Sequence, residues 1–329
     1  SALTSLQVQA IETADIAVLT SVQMSVLGTD TIQALASNQI AALKTSQLSA
    51  LSSTGVQALT TNQVVALTTL QVAGLSTDTI AVLTTDQVRA IETRDIAVLT
   101  TNQLAGMGTD TVQALTTDQV VALTTLQFAG LTSATMASLT SDQVRTIETR
   151  DIQALKTSQL ASLGSDTVQA LTTNQIVALT TLQVAGLTSN TMAALTSDQV
   201  RSIETADIAV LTTNQLAGLG TDTVQALSTN QVVALTTLQV AGLSTDTLTA
   251  LTSLQVKAIE TRDIQALTTS QLSNLGTDTV QALTTNQIVA LNTLQVSGLS
   301  SNTMSALTSL QVQAIETADI AVLTSVQMS

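Results

Sequence analysis

Aspartates recur in one frame, as in Gly-Thr-Asp-Thr at Asp110, Asp222 and Asp278 and Gly-Ser-Asp-Thr at Asp166. Carboxylates at constant spacing suggest calcium, which takes about six to eight oxygens, usually from several carboxylates. Each frame supplies one carboxylate, and the glycine-rich nonapeptide of calcium-binding β-rolls is missing. These aspartates therefore read as negative charges in the first turn of a helix. The Thr-x-Thr pairs (Thr77 and Thr79, Thr109 and Thr111) could belong to a flat hydroxyl array of the ice-binding kind, but they are too sparse to make a continuous face. The chain contains no His, Cys, Trp or Tyr. Cys/His metal sites, thiol catalysis, histidine bases and disulfides are thereby excluded. We expect no enzyme, no metal and no cofactor.

The net charge of -14 argues against nucleic acid and against anionic membrane surfaces as partners. No run approaches the roughly 18 apolar residues of a membrane span, so no insertion is expected. Disorder does not fit, because 44% of the residues are hydrophobic and mean hydropathy is +0.40.

What would position any functional residue is an eight-residue phrase. From Leu3 the 329 residues divide into forty octads and a seven-residue stub without insertion or deletion. Position 1 is Leu, Ile or Met, position 3 is Ser or Thr, and position 6 is aliphatic, Met or Phe128. The six Met and Phe128 mostly fall on apolar positions and read as packing. A repeat this strict predicts an array in which each unit buries its apolar face against its neighbours. With no proline and no linker, residues 1–329 read as one continuous octapeptide-repeat solenoid. Residues 1–25 recur unchanged at 305–329, so the segment is expected to be a window onto a longer repetitive chain.

Eight residues advance a helix by about 800°, which would smear one long helix's leucines around every face. In one long strand positions 1 and 6 would point to opposite sides. The backbone must therefore turn once per octad. Thr84-x-x-Gln87 has the form of a capping box, and Leu83 and Val88 then stand as its hydrophobic staple. The fold expected is all-α, a superhelical solenoid of very short helices, one per octad. The alternative is a β-solenoid, favoured by the Thr and Val content and by the unfailing hydroxyl at position 3, which could form an inward ladder. Asn-Gly and Asp-Gly turn signals are missing, which counts against it. Glu at position 2 in six octads, such as Glu92 and Glu148, is a poor N-cap and counts a little against helices.

A slower beat overlies the octad. Ile-Glu-Thr-(Arg/Ala)-Asp-Ile recurs at Ile91, Ile147, Ile203, Ile259 and Ile315, once in every seven octads, over about 59–329. Residues 35–58 contribute three extra octads. A turn of about 3.5 octads would return the same octad type to the same face every second turn, the logic of the heptad one level up. Stacking alone needs only the octad, so the superperiod points to a contact outside the coil. Position 4, normally polar, is leucine at Leu70, Leu126, Leu182, Leu238 and Leu294. Such a stripe marks an interface, unless position 4 turns inward there. A charged stripe of Glu92 and Arg94, then Glu148 and Arg150, could set the register of a neighbouring coil.

The phrase Leu115-Thr116-Thr117-Asp118-Gln119-Val120-Val121-Ala122-Leu123 resembles octapeptide arrays of very large secreted bacterial surface proteins, often labelled adhesins or haem-utilisation proteins. The resemblance implies export and an extracellular or cell-surface role. It does not carry haem binding here, because no His, Cys or Tyr can serve as axial ligand. The same phrase is similar to the opening of the TAL-effector DNA-binding repeat for about nine residues, after which the base-reading loop and basic character of that 34-residue repeat are missing. The expected function is that of a non-enzymatic structural protein whose coils self-associate into fibres. The alternative is an adhesin stalk or ligand-binding solenoid.

Overall fold

A computed structural model describes residues 4–328. Forty-one short α-helices follow one another, one per octad, from Ser5–Gln9 to Ser325–Met328. Among the described residues there is no strand, so the β-solenoid is set aside. The chain forms two compact units, up to Leu163 and from Gly164 onward.

Each helix begins as its sequence dictates. Position 2 is the extended N-cap and position 3 the first helical residue. At Thr84 the hydroxyl accepts from the Gln87 backbone N–H, while Gln87 Oε1 accepts from the Thr84 N–H at 2.9 Å. The box closes on both sides. The six Glu N-caps make no side-chain cap bond, and neither do glycine caps such as Gly108. Helix ends need no left-handed residue, since no described residue has positive φ. Instead the position-1 N–H closes a tight three-residue bond, as from Ile91 to the Val88 carbonyl at 3.2 Å. Ile91 and Glu92 are then both extended and swing the chain into the next helix. A turn made this way leaves no Asn-Gly signature.

Helices of four to six residues have no independent stability, so packing must hold them. Positions 1 and 6 supply the core, with Val88, Val144 and Val200 fully buried and Leu83, Leu139 and Leu195 nearly so. Phe128, Met24 and Met136 are buried in the core of the first unit and Met192 in that of the second. Helices pack against the helix three octads on, as Thr125–Gly130 does against Thr149–Ala154.

The helix-end backbone bonds stay local, spanning three or four residues. Side chains tie one turn to the next. In the first unit such bonds span 25 residues (Ser133 hydroxyl to the Ser158 carbonyl), 26 (Thr125 to Asp151), and 28 and 31 (Gln143 to the Leu115 and Val112 carbonyls). The second unit repeats these separations at Ser189, Thr237 and Gln199. Within each unit a turn therefore takes about 28 residues, or about 3.5 octads.

The glutamine at position 5 carries this architecture. Gln143 Oε1 accepts from the N-cap N–H of Thr140, and Nε2 donates to the Val112 and Leu115 carbonyls of the preceding turn, all at 2.8 Å. One buried amide thus satisfies the start of its own helix, donates to the Leu115 carbonyl and adds a second donor to the Val112 carbonyl, which also accepts from the Leu115 N–H. In the charged octads Asp replaces it, and the roles reverse. Asp151 is buried and accepts from the Thr125 hydroxyl at 2.5 Å. Part of the seven-octad beat is thus written into contacts between turns.

Position 8 is mostly Ala or Gly, and turns approach closely where it is Gly. A Cβ on Gly218 would lie 2.7 Å from the Ser189 carbonyl oxygen, backbone that cannot swing aside. Gly218 itself has an ordinary helical conformation. Alanine would gain about 0.5–1 kcal/mol of helical preference and lose about 1–3 kcal/mol to overpacking. We expect Gly218→Ala to lower stability by about 1–2 kcal/mol in urea unfolding, where a propensity effect alone would raise it.

Candidate self-assembly face

Position 4 is the second residue of each helix and points away from the core. Leu70, Leu126, Leu182, Leu238 and Leu294 are 72–79% exposed, so position 4 does not turn inward in these octads. A leucine this exposed would gain about 1.5–3 kcal/mol from full burial. In the first unit Leu70 and Leu126 stand seven octads, or two turns, apart and share one face. Leu182, Leu238 and Leu294 are spaced likewise in the second.

Three further leucines are as open: Leu6, Leu254 and Leu310, at 69–79% exposure. Sequence reading missed them because their octad elsewhere holds Asp86, Asp142 or Asp198 at position 4, although the position-4 rule was enough to find them. A second missed set is the valine at position 7 of the octad before each leucine octad. Val65, Val121, Val177, Val233 and Val289 are 42–45% exposed and widen the apolar surface. Beside Leu70 an open groove of about 570 Å³ runs between the leucine and Lys44, floored by Thr45 and Gly74.

The charged stripe lies next to the leucines. Arg94, on helix Thr93–Ile96, belongs to the helix stacked on the Leu70 helix, Thr69–Ala73. Its guanidinium pairs with Glu92 and lies 3.8 Å from the buried Asp95. Arg150 repeats the set, with Glu148 at 2.7 Å and Asp151 at 3.7 Å, and Arg262 does so with Glu260 and Asp263. The arginines remain about two-thirds exposed. Exposed pairs contribute about 0–1 kcal/mol, so holding the fold together is a minor part of what they can do. Asp78, Asp86 and Asp118 occupy position 4 elsewhere around the coil and are exposed.

Asp110, Asp166, Asp222 and Asp278 are exposed at the same second helical position. Among the described residues no three Asp or Glu side chains converge as a metal site would require. No described helix is long and apolar enough to cross a membrane. What this surface can do chemically is bury apolar area at a regular interval, with charge beside it.

No curated protein matches the chain. The profile of the ALTTAQ repeat family matches at residues 8–45, 32–69, 88–125, 144–181, 200–237 and 256–293. The last five matches begin seven octads apart, and the first begins three octads before the second, the same beat and the same slip as in the sequence. These matches cover well over half of the residues, and the chain belongs to the ALTTAQ repeat family.

Proposed function

We propose that this is a non-enzymatic structural protein whose coils associate side by side into fibres of an extracellular bacterial matrix or surface layer. The observation that carries the reading is the set of leucines at 72–79% exposure which, within each of the two units, recur once in every seven octads on a coil that completes two turns over the same stretch of chain. Water penalises such a column, and a repeated apolar patch marks an interface. A partner that engages every patch needs the same repeat distance. A second copy of the chain has it.

The extracellular bacterial setting rests on the resemblance of the octad phrase to arrays in giant secreted surface proteins. A ligand-presenting stalk is the weaker reading, because the octads run through residues 35–58 in the same helical form, with Gly55 packed beneath Ile32. Electron microscopy of the purified chain over a rising concentration series tests the proposal. Laterally bundled fibres support it, and single coils at every concentration refute it.

A further inference from the structure

We infer that each unit of the coil is a spring: pulled along its axis it lengthens one turn at a time, and released it coils again. This does not depend on the self-association proposed above. It gives the chain a mechanical task of its own, to yield under tension and recover.

What joins one turn to the next is side chains. Among the described residues, the backbone bonds at the helix ends reach only three or four residues, within one octad or into the first residue of the next. The bonds across turns run instead from the Gln63 amide to the Ile32 and Leu35 carbonyls, both at 2.7 Å, and from the Gln71 amide to the Ile40 and Leu43 carbonyls, at 2.8 and 2.6 Å. Gln87 repeats them on Val56 and Leu59, and in the second unit Gln255 does so on Val224 and Leu227. Tension along the axis therefore falls on these amides and on the apolar core, which each turn shares only with its neighbours.

A turn that comes away cannot keep its helices, since four to six residues have no independent stability. It gives up its whole length. At the spacing of packed helices a turn rises by about 8–10 Å, whereas its roughly 28 residues pulled straight span about 90–100 Å. Each turn thus lengthens about tenfold. Nothing covalent locks the turns or delays their return: the chain has no cysteine to cross-link them and no proline whose isomerisation would slow recoiling. The bonds to be remade reach 28 and 31 residues, and contacts so near in sequence form fast.

Single-molecule stretching tests this within the first unit. Leu6 and Asp118 are both exposed and lie fourteen octads, or about four turns, apart, so they stand on one face of the coil. In a chain without cysteine, Leu6→Cys with Asp118→Cys takes a handle at each end of this 112-residue span. The extension should grow in about four steps of about 28 residues and retrace on relaxation. A single all-or-none rupture of the span, or a chain that stays extended when relaxed, would overturn the spring. As a second arm, Gln71→Thr removes one tie and installs the residue that the next octad carries at Thr79. One step should then fall to lower force while the others keep theirs. An unchanged set of steps would overturn the amide as the tie, and a shift of every step together would overturn opening by single turns.

Discussion

Gln143→Glu is expected to destabilise the first unit by about 4 kcal/mol, although it changes one terminal group and keeps the side chain's size. The carboxylate can still accept from the Thr140 N–H, so the capping box survives. What is lost is the amide's donation to the Val112 and Leu115 carbonyls. The Val112 carbonyl would keep the Leu115 N–H, the Leu115 carbonyl would lose the amide donor, and both would face a buried negative charge. Each unsatisfied buried group costs about 1–3 kcal/mol, and an unpaired buried charge costs more. Protonation would return one O–H donor. Burial raises the folded-state pKa of such a glutamate above its unfolded value, so the deficit should shrink as pH falls. Gln143→Thr, which makes the position like Thr135 in the octad before, should cost less than the near-isosteric Glu. Urea unfolding followed by circular dichroism reads all three, and a Glu variant as stable as the parent would refute the inter-turn role of the amide.

Leu70→Asp, Leu126→Asp and Leu182→Asp together should do the opposite, leaving the fold intact and abolishing association. These side chains are 77–79% exposed, and surface substitutions of this kind usually shift stability by about 0.5 kcal/mol or less. Each burial lost in an assembly removes about 1.5–3 kcal/mol per leucine, and carboxylates would meet carboxylates across the seam. The helical signal and the unfolding midpoint should match those of the parent. A variant that loses helicity would show the leucines to be structural after all.

The contrast between these substitutions shows what the sequence could and could not say. The capping box, the staple and the small residue at position 8 were legible because each is a local rule with a fixed spacing. The exposure of Leu70 was legible for the same reason, as an apolar residue at a polar position. The other half of the glutamine's work was not, because its partners lie 28 and 31 residues away. One clue was available: position 5 is Gln, Thr, Asp or Gly and never Glu, although a capping box tolerates Glu equally well. In the octads that hold Gln, a need to donate as well as accept excludes Glu, whereas Asp151 at this position receives a Thr hydroxyl instead. Asp151 hid its role likewise, since its Thr125 partner sits 26 residues back. That contact also corrects the argument from the superperiod. Some of the seven-octad rhythm serves contacts within the coil, and what stacking leaves unexplained narrows to the exposed leucines with the arginines beside them.

Sedimentation of the parent chain beside the triple Leu→Asp variant, over a rising concentration series, tests the account most directly. The account predicts a parent whose average mass climbs with concentration and a folded variant that stays at 33.8 kDa. A parent that stays monomeric throughout, or a variant that associates as the parent does, would contradict it.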